Sequence, residues 1–224
     1  MFTAETFTSI QGEGVLAGVP SFFIRTSGCN LRCSWCDTPY TSWQPEGRRR
    51  SVRALVEDAT VAGLRHVVIT GGEPLLQREL GDLTHALAAN RHHITVETAG
   101  TLAPEFGCHL LSVSPKTSNS DPEGNFRGRH RDLRTNSAPL QLLLARHPEH
   151  QLKFVVRGEG DVGEILAMVN LLGVVRECVL LMPEGRTAGE VAARAPAVAR
   201  LCMRHGFRYT PRLHLDLFGP GRGV

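Results

Sequence analysis

Three observations predict an α/β fold, a partial, open β/α barrel of six or seven mostly parallel strands. Short apolar runs recur along the 224 residues, helical patterns separate them, and the segments richest in reactive side chains fall where the strands would end. Strands alternating with helices mean βαβ units and a parallel sheet. Six or seven strands fall short of the eight of a closed barrel, which takes about 250 residues.

Taken in order, Ser-Phe-Phe-Ile-Arg-Thr at 21–26 reads as the first strand. Ser51 caps a helix running to about Ala62, with Gly63 past its end. His-Val-Val-Ile-Thr at 66–70 is a short strand of the buried type. The helix at 77–90 sets Leu80, Leu83, Thr84 and Leu87 on one face. Strands follow at 94–98, 110–114, 152–156, 178–182 and 207–212, with helices at 137–146, 161–172 and 187–205; Gly173 and Gly206 stop the last two. The stretch 117–136 is poor in apolar residues and carries Arg127, Arg129, Arg131 and Arg134, so it reads as a long, flexible, solvated loop. One domain is expected over 1–224.

Apolar residues make up 42% and charged residues 21%. These values exclude a disordered or fibrous chain. No run nears the ~18 apolar residues of a membrane span, and the first ten residues lack a secretory pattern. The expectation is a cytoplasmic protein with no membrane partner. A formal charge of +3 is too mild to argue for direct nucleic-acid binding. Only two of the 25 basic residues are lysines, Lys116 and Lys153.

Of six cysteines, Cys29, Cys33 and Cys36 are clustered, and Cys108, Cys178 and Cys202 stand alone in apolar surroundings as buried thiols. A disulfide scaffold would be short, secreted and loop-rich. A structural zinc site wants four ligands, usually as two separated pairs. A 4Fe–4S cluster used only for electron transfer also takes four cysteines. Three thiolates leave one iron open for a substrate or cofactor, as catalytic metal sites leave a position open. A zinc loop completed by a distant His or Cys, and plain core cysteines, remain alternatives.

In such folds the chemistry lies at the carboxyl ends of the strands. The cysteine loop, Gly71-Gly72-Glu73-Pro74, Glu97–Thr98, Ser114-Pro115-Lys116 and Met182–Gly185 all fall on that rim. Before the first strand, Gln11 and Glu13 offer an amide and a carboxylate able to read the donor edge of a purine- or pterin-like ring. Arg25 has the fork that suits a carboxylate, and Thr38 has a hydroxyl of the sort Mg²⁺ accepts. Plainer readings stand beside these: turn residues, a rim salt bridge at Arg25, a helix cap at Thr38, a solvated Lys116. Lys153 reads as a strand residue pairing with a carboxylate, and His214 as packing.

The C-x3-C-x2-C spacing with Trp35 before its last cysteine, followed by Gly71-Gly72-Glu73-Pro74, resembles the radical S-adenosylmethionine enzymes. With Gln11-Gly12-Glu13-Gly14, Cys36-Asp37-Thr38, Ser114-Pro115-Lys116 and the C-terminal Leu213-His214-Leu215 and Gly221-Arg222-Gly223-Val224, the chain resembles the 7-carboxy-7-deazaguanine synthase family of queuosine and deazapurine biosynthesis. The resemblance implies a radical carbon–nitrogen lyase that contracts 6-carboxy-5,6,7,8-tetrahydropterin to 7-carboxy-7-deazaguanine and releases ammonia. It implies a 4Fe–4S cluster on Cys29, Cys33 and Cys36, S-adenosylmethionine that is regenerated, and Mg²⁺ at Thr38. Ile10, Gln11, Gly12, Glu13, Arg25, Thr70 and the Val224 carboxylate would meet the pterin. Trp35, Asp37, Gly72, Ser114, Pro115, Lys116, Met182, Pro183, Glu184 and Gly185 would meet S-adenosylmethionine, and Glu97 would handle a proton. A reducing partner such as flavodoxin or ferredoxin and a homodimer are further implications. A glycyl-radical-enzyme activating enzyme and a zinc-binding adaptor are the alternatives.

Overall fold

The computed structural model describes residues 1–224. The nine strands are β1 (Phe2–Ile10), β2 (Pro20–Thr26), β3 (Arg48–Arg49), β4 (His66–Gly71), β5 (His93–Thr98), β6 (Leu110–Val113), β7 (His150–Val156), β8 (Val179–Pro183) and β9 (Arg208–Tyr209). They form one open sheet in the order β3-β1-β2-β4-β5-β6-β7-β8-β9. From β2 to β9 every pairing is parallel, while β1 runs antiparallel to both its neighbours. The helices are α1 (Pro39–Ser42), α2 (Val52–Ala62), α3 (Leu80–Ala89), α4 (Arg127–Thr135), α5 (Ala138–Arg146), α6 (Val162–Leu172), α7 (Ala188–His205) and α8 (Leu213–Phe218). No helix is long and apolar enough to cross a membrane.

Local chemistry sets the helix ends. The Ser51 hydroxyl accepts from the Ala54 N–H at 3.2 Å, and Gly63 closes α2 with φ of 68°. Thr187 and Glu190 form a reciprocal cap at the start of α7. Each parallel strand splits its residues between two faces. Phe22, Ile24, Val67, Ile69, Ile94, Val96, Leu111, Val113, Leu152, Phe154, Leu181 and their helical partners make one core of 29 buried residues. The alternate residues, Arg25, Thr70, Glu97, Ser112 and Lys153 among them, line the concave face.

Four local expectations need correction. The antiparallel β1 was not foreseen, because Phe-Thr-Ala-Glu-Thr-Phe-Thr-Ser-Ile holds no continuous apolar run. The 117–136 stretch is not a plain loop: it holds α4, with His130 inside and Arg134 between Asp121 and Glu164. The last strand shrinks to two residues, because Pro211 has no N–H to continue a ladder. Finally, α3 begins only at Leu80, after the turn at Pro74–Leu76.

Candidate functional site

The cysteine loop leaves β2 at the carboxyl rim, and Gly71 and Gly72 at the end of β4 fix its seat. A Cβ at Gly71, where φ is +129°, would meet Thr26 O at 2.1 Å; at Gly72 it would meet Gly28 O at 2.2 Å and Thr41 O at 2.6 Å. Only glycine lets these two backbones approach so closely. Glu73 is fully buried and accepts from Thr98 Oγ1 (2.7 Å), Leu75 N (3.0 Å) and Ala99 N (2.9 Å), locking the rims of β4 and β5 together. Burial pushes its carboxyl up, against those three donors.

Cys29, Cys33 and Cys36 all face one cavity of about 500 Å³. Burial pushes the thiols of Cys29 and Cys33 up to about 12, so loading a metal there must displace protons. The other three thiols lie elsewhere: Cys108 beside His147 at 3.6 Å, Cys202 under Arg208 O, Cys178 before β8. No three of the His, Cys, Asp and Glu side chains stand close enough to hold a single ion. Three thiols with no fourth on one cavity fit a 4Fe–4S cluster that keeps one iron open better than a four-ligand zinc site.

The segment expected as a loop clamps the cysteine loop instead. Ser34 N donates to Ser120 O at 3.0 Å, and Arg32 N donates to Nδ1 of His130 at 3.1 Å. Nδ1 therefore carries no proton, and Nε2–H donates to Ser120 Oγ at 2.9 Å. His130 is 1% exposed, and burial holds its pKa below the ordinary imidazole value. Trp35 donates to Asn119 Oδ1 at 3.0 Å, and Lys116 Nζ stands 5.4 Å over the Trp35 ring while donating to Ser114 Oγ at 2.7 Å.

Opposite the cysteines is a polar wall. The Phe7 and Phe23 rings stack at 4.9 Å, and the Arg25 guanidinium lies 5.1 Å over Phe7. Arg25 Nε donates to Glu5 at 2.8 Å, which leaves its two terminal nitrogens for a ligand. Glu97 accepts from Gln11 Nε2 (3.1 Å) and from Thr70 Oγ1 (2.8 Å). Glu13 takes Lys153 on one oxygen and Arg212 Nε at 3.0 Å on the other. Arg212 also donates to Asp37 and to Gly185 O. Burial alone would raise the Glu13 carboxyl; the Lys153 and Arg212 charges outweigh it and hold it well below the usual range. Arg212 does the same for Asp37. Burial would lower Lys153, but Glu13 and Glu97 hold it above its ordinary value. A Cβ at Gly12 would come within 1.9 Å of His214 Nδ1, so a side chain there would have to displace the His214 ring.

Of the twenty-two residues given a site role from the sequence and its resemblance, eighteen line this cavity: Ile10, Gln11, Gly12, Glu13, Arg25, Cys29, Cys33, Trp35, Cys36, Asp37, Thr38, Thr70, Gly72, Glu97, Ser114, Lys116, Met182 and Val224. Pro115 instead lines a smaller cavity between α4 and α6. Pro183 is outside the lining, Glu184 is turned to Arg194 (3.3 Å) and Arg157 (3.7 Å), and Gly185 offers only its carbonyl, to Arg212. Lys153 pairs with a carboxylate as expected. Sequence reasoning missed Arg212, Tyr40 and Glu5. Nothing in the local sequence marks Arg212, which meets Glu13 across 199 positions.

Residues 23–139 match the Radical SAM superfamily. A 7-carboxy-7-deazaguanine synthase from Rhodopirellula baltica is 40% identical, over 100% of this chain and 89% of its own. One from Halobacterium salinarum is 45% identical, over 96% and 89%. The crystal structure of QueE from Escherichia coli covers 95% of this chain and 94% of its own with a TM-score of 0.69 and 24% identity, a likeness of fold.

Proposed function

The chain belongs to the radical S-adenosylmethionine superfamily and, within it, to the 7-carboxy-7-deazaguanine synthase family, and from that premise we propose how its cavity contracts 6-carboxy-5,6,7,8-tetrahydropterin to 7-carboxy-7-deazaguanine with release of ammonia. One observation carries the reading: three thiols with no fourth open onto the same cavity as a wall of Gln11, Glu13, Arg25 and Glu97.

Cys29, Cys33 and Cys36 would hold the cluster. When bound, the reduced cluster and S-adenosylmethionine supply a 5′-deoxyadenosyl radical that takes a hydrogen atom from the substrate. The chain's own residues do the rest. Arg25, braced by Glu5, presents its free nitrogens to the substrate carboxylate. Glu13, kept ionised by Lys153 and Arg212, accepts from the amino-pyrimidinone edge. Glu97 and Thr70 face the ring's other side and offer a carboxylate to receive a proton. Thr38 Oγ1, which lines the cavity, would give Mg²⁺ an oxygen ligand. Phe7, Phe23 and Met182 exclude water from the reacting centre. Trp35, Asp37, Gly72, Ser114 and Lys116 form the S-adenosylmethionine side, and Val224 closes the pterin side.

The reaction needs a one-electron donor, a flavodoxin- or ferredoxin-like protein. A homodimer and a reducing cytosolic setting complete the reading. An activating enzyme for a glycyl radical would need a peptide groove and has no use for the wall of Gln11, Glu13 and Arg25. Anoxic reconstitution followed by incubation with the carboxypterin tests the proposal. The expected outcome is about four irons and four sulfides per chain, appearance of the deazaguanine, and S-adenosylmethionine not consumed. Colourless protein with one zinc, or steady loss of S-adenosylmethionine, would overturn it.

A further inference from the structure

Arg212 is 7% exposed and carries a full charge among residues that reach it from three separate segments. Its Nε donates to Glu13 on the segment after β1, its Nη2 to Asp37 on the cysteine loop, and its Nη1 to the Gly185 carbonyl after β8. No main-chain hydrogen bond joins residues 11–14 to residues 33–38. Arg212 is thus the one side chain that hydrogen-bonds both to residues 11–14 and to residues 33–38. Burying a guanidinium is costly unless its donors are matched, and here its fork meets three acceptors in fixed directions. Lys153 supplies the second cation on Glu13, so Glu13 stays charged-paired even when Arg212 is altered.

We propose that Arg212 is a positioning residue that sets the separation of Glu13 and Asp37, so that affinity for the pterin and affinity for S-adenosylmethionine both depend on this one side chain. The inference rests on the function proposed above. Arg212 touches neither reacting atom; it acts through the two carboxylates. Lysine keeps the charge but lacks the fork, so it can meet one carboxylate and must release the other.

The test measures equilibrium binding of S-adenosylmethionine alone and of the carboxypterin alone to anoxically reconstituted wild type, Arg212→Lys and Arg212→Met, with iron content and Tm recorded for each. Arg212→Met should weaken both ligands by about tenfold or more, the loss of a charge-assisted contact on each side, with iron content unchanged. Arg212→Lys should restore one affinity and leave the other weak. A purely structural role predicts that Tm, iron content and both affinities fall together and that lysine restores them in parallel; that result overturns the proposal. So does a methionine variant with wild-type affinities, or with only one affinity moved. Failure of the underlying function is distinct: wild type itself would bind neither ligand. Asp37→Asn serves as a second route should Arg212→Met fail to fold. It loosens Arg212 from the loop alone and should weaken S-adenosylmethionine more than the pterin; equal or no weakening counts against the assignment.

Discussion

Along β7, Leu152, Phe154 and Val156 sit in the apolar core with the helices, while Gln151 and Lys153 between them face the other way and are held by Ser112 and Glu13. The same split runs through β2, where Phe22 and Ile24 alternate with Phe23 and Arg25, and through β5, where Ile94 and Val96 alternate with Glu97. A parallel sheet covered on both faces reads as continuous apolar runs. Here only the convex face is covered, and the concave face keeps polar side chains because each finds a partner. The two faces therefore answer to different demands: one to packing, the other to ligands.

The comparison breaks most sharply at neighbouring positions, and the largest effect belongs to the convex face. Phe154 is 0% exposed. Phe154→Ala should cost about 3–5 kcal/mol of unfolding free energy, from lost transfer and an unfilled cavity. Turnover per folded molecule should remain near wild type. Denaturant unfolding paired with activity of the folded fraction measures both; a collapse of turnover with stability intact would erase the distinction between the faces.

That distinction also explains what the sequence disclosed. The strands at 66–70, 94–98 and 152–156 were legible because their apolar positions are bounded by turn residues, and the rim rule then pointed to Cys29–Cys36, Gly72 and Lys116. β1 escaped notice because it lies at the antiparallel side of the sheet with mostly half-buried Thr and Glu. α4 escaped because Arg-Gly-Arg-His-Arg-Asp-Leu-Arg-Thr has a single apolar side chain of any size; its inward face is polar, built on His130 and Arg134. Arg212 was one arginine among many, and its partners, far off in the chain, meet it only in the folded sheet. Apolar periodicity reports packing, and these three features are held by hydrogen bonds and charge.

The next effect falls on the concave face, one residue away. Lys153→Met keeps length and apolar volume while removing one of two cations from Glu13. Removing a buried ammonium offsets part of the loss of the pair, and Arg212 still neutralises Glu13, so stability should move far less than in Phe154→Ala. Pterin affinity should fall by about 10–100-fold, as loss of one charge-assisted hydrogen bond of about 1.5–3 kcal/mol requires. Isothermal titration with the carboxypterin checks it; unchanged affinity would mean that Glu13 does not face the ligand.

The smallest effect lies at the opposite rim, where three imidazoles stack across β4, β5 and the start of β6. The His66 and His93 rings are 4.5 Å apart, and those of His93 and His109 are 4.9 Å apart. The Ile94 N–H donates to His109 Nδ1 at 3.1 Å, while Nδ1 of His66 and of His93 has no partner. Burial first, then Arg65 and the neighbouring imidazoles, lowers His66 and His93 below their ordinary value. A protonated ring here would face the Arg65 charge and add a donor with no acceptor. The unfolded chain, with an imidazole pKa of about 6.5, binds more protons than the folded one once pH drops through that value. Stability from the neutral stack is therefore complete above about pH 6.5 and is lost as pH falls towards the lowered folded values. Both rings are partly exposed, so solvent screening keeps the loss modest. Comparing Tm of wild type and His93→Gln between about pH 7.5 and about pH 5.5 isolates it, because other histidines contribute equally to both proteins. The glutamine variant should decline less steeply. Parallel curves would place the acid sensitivity elsewhere, with buried His130 against the cysteine loop as the next group to replace.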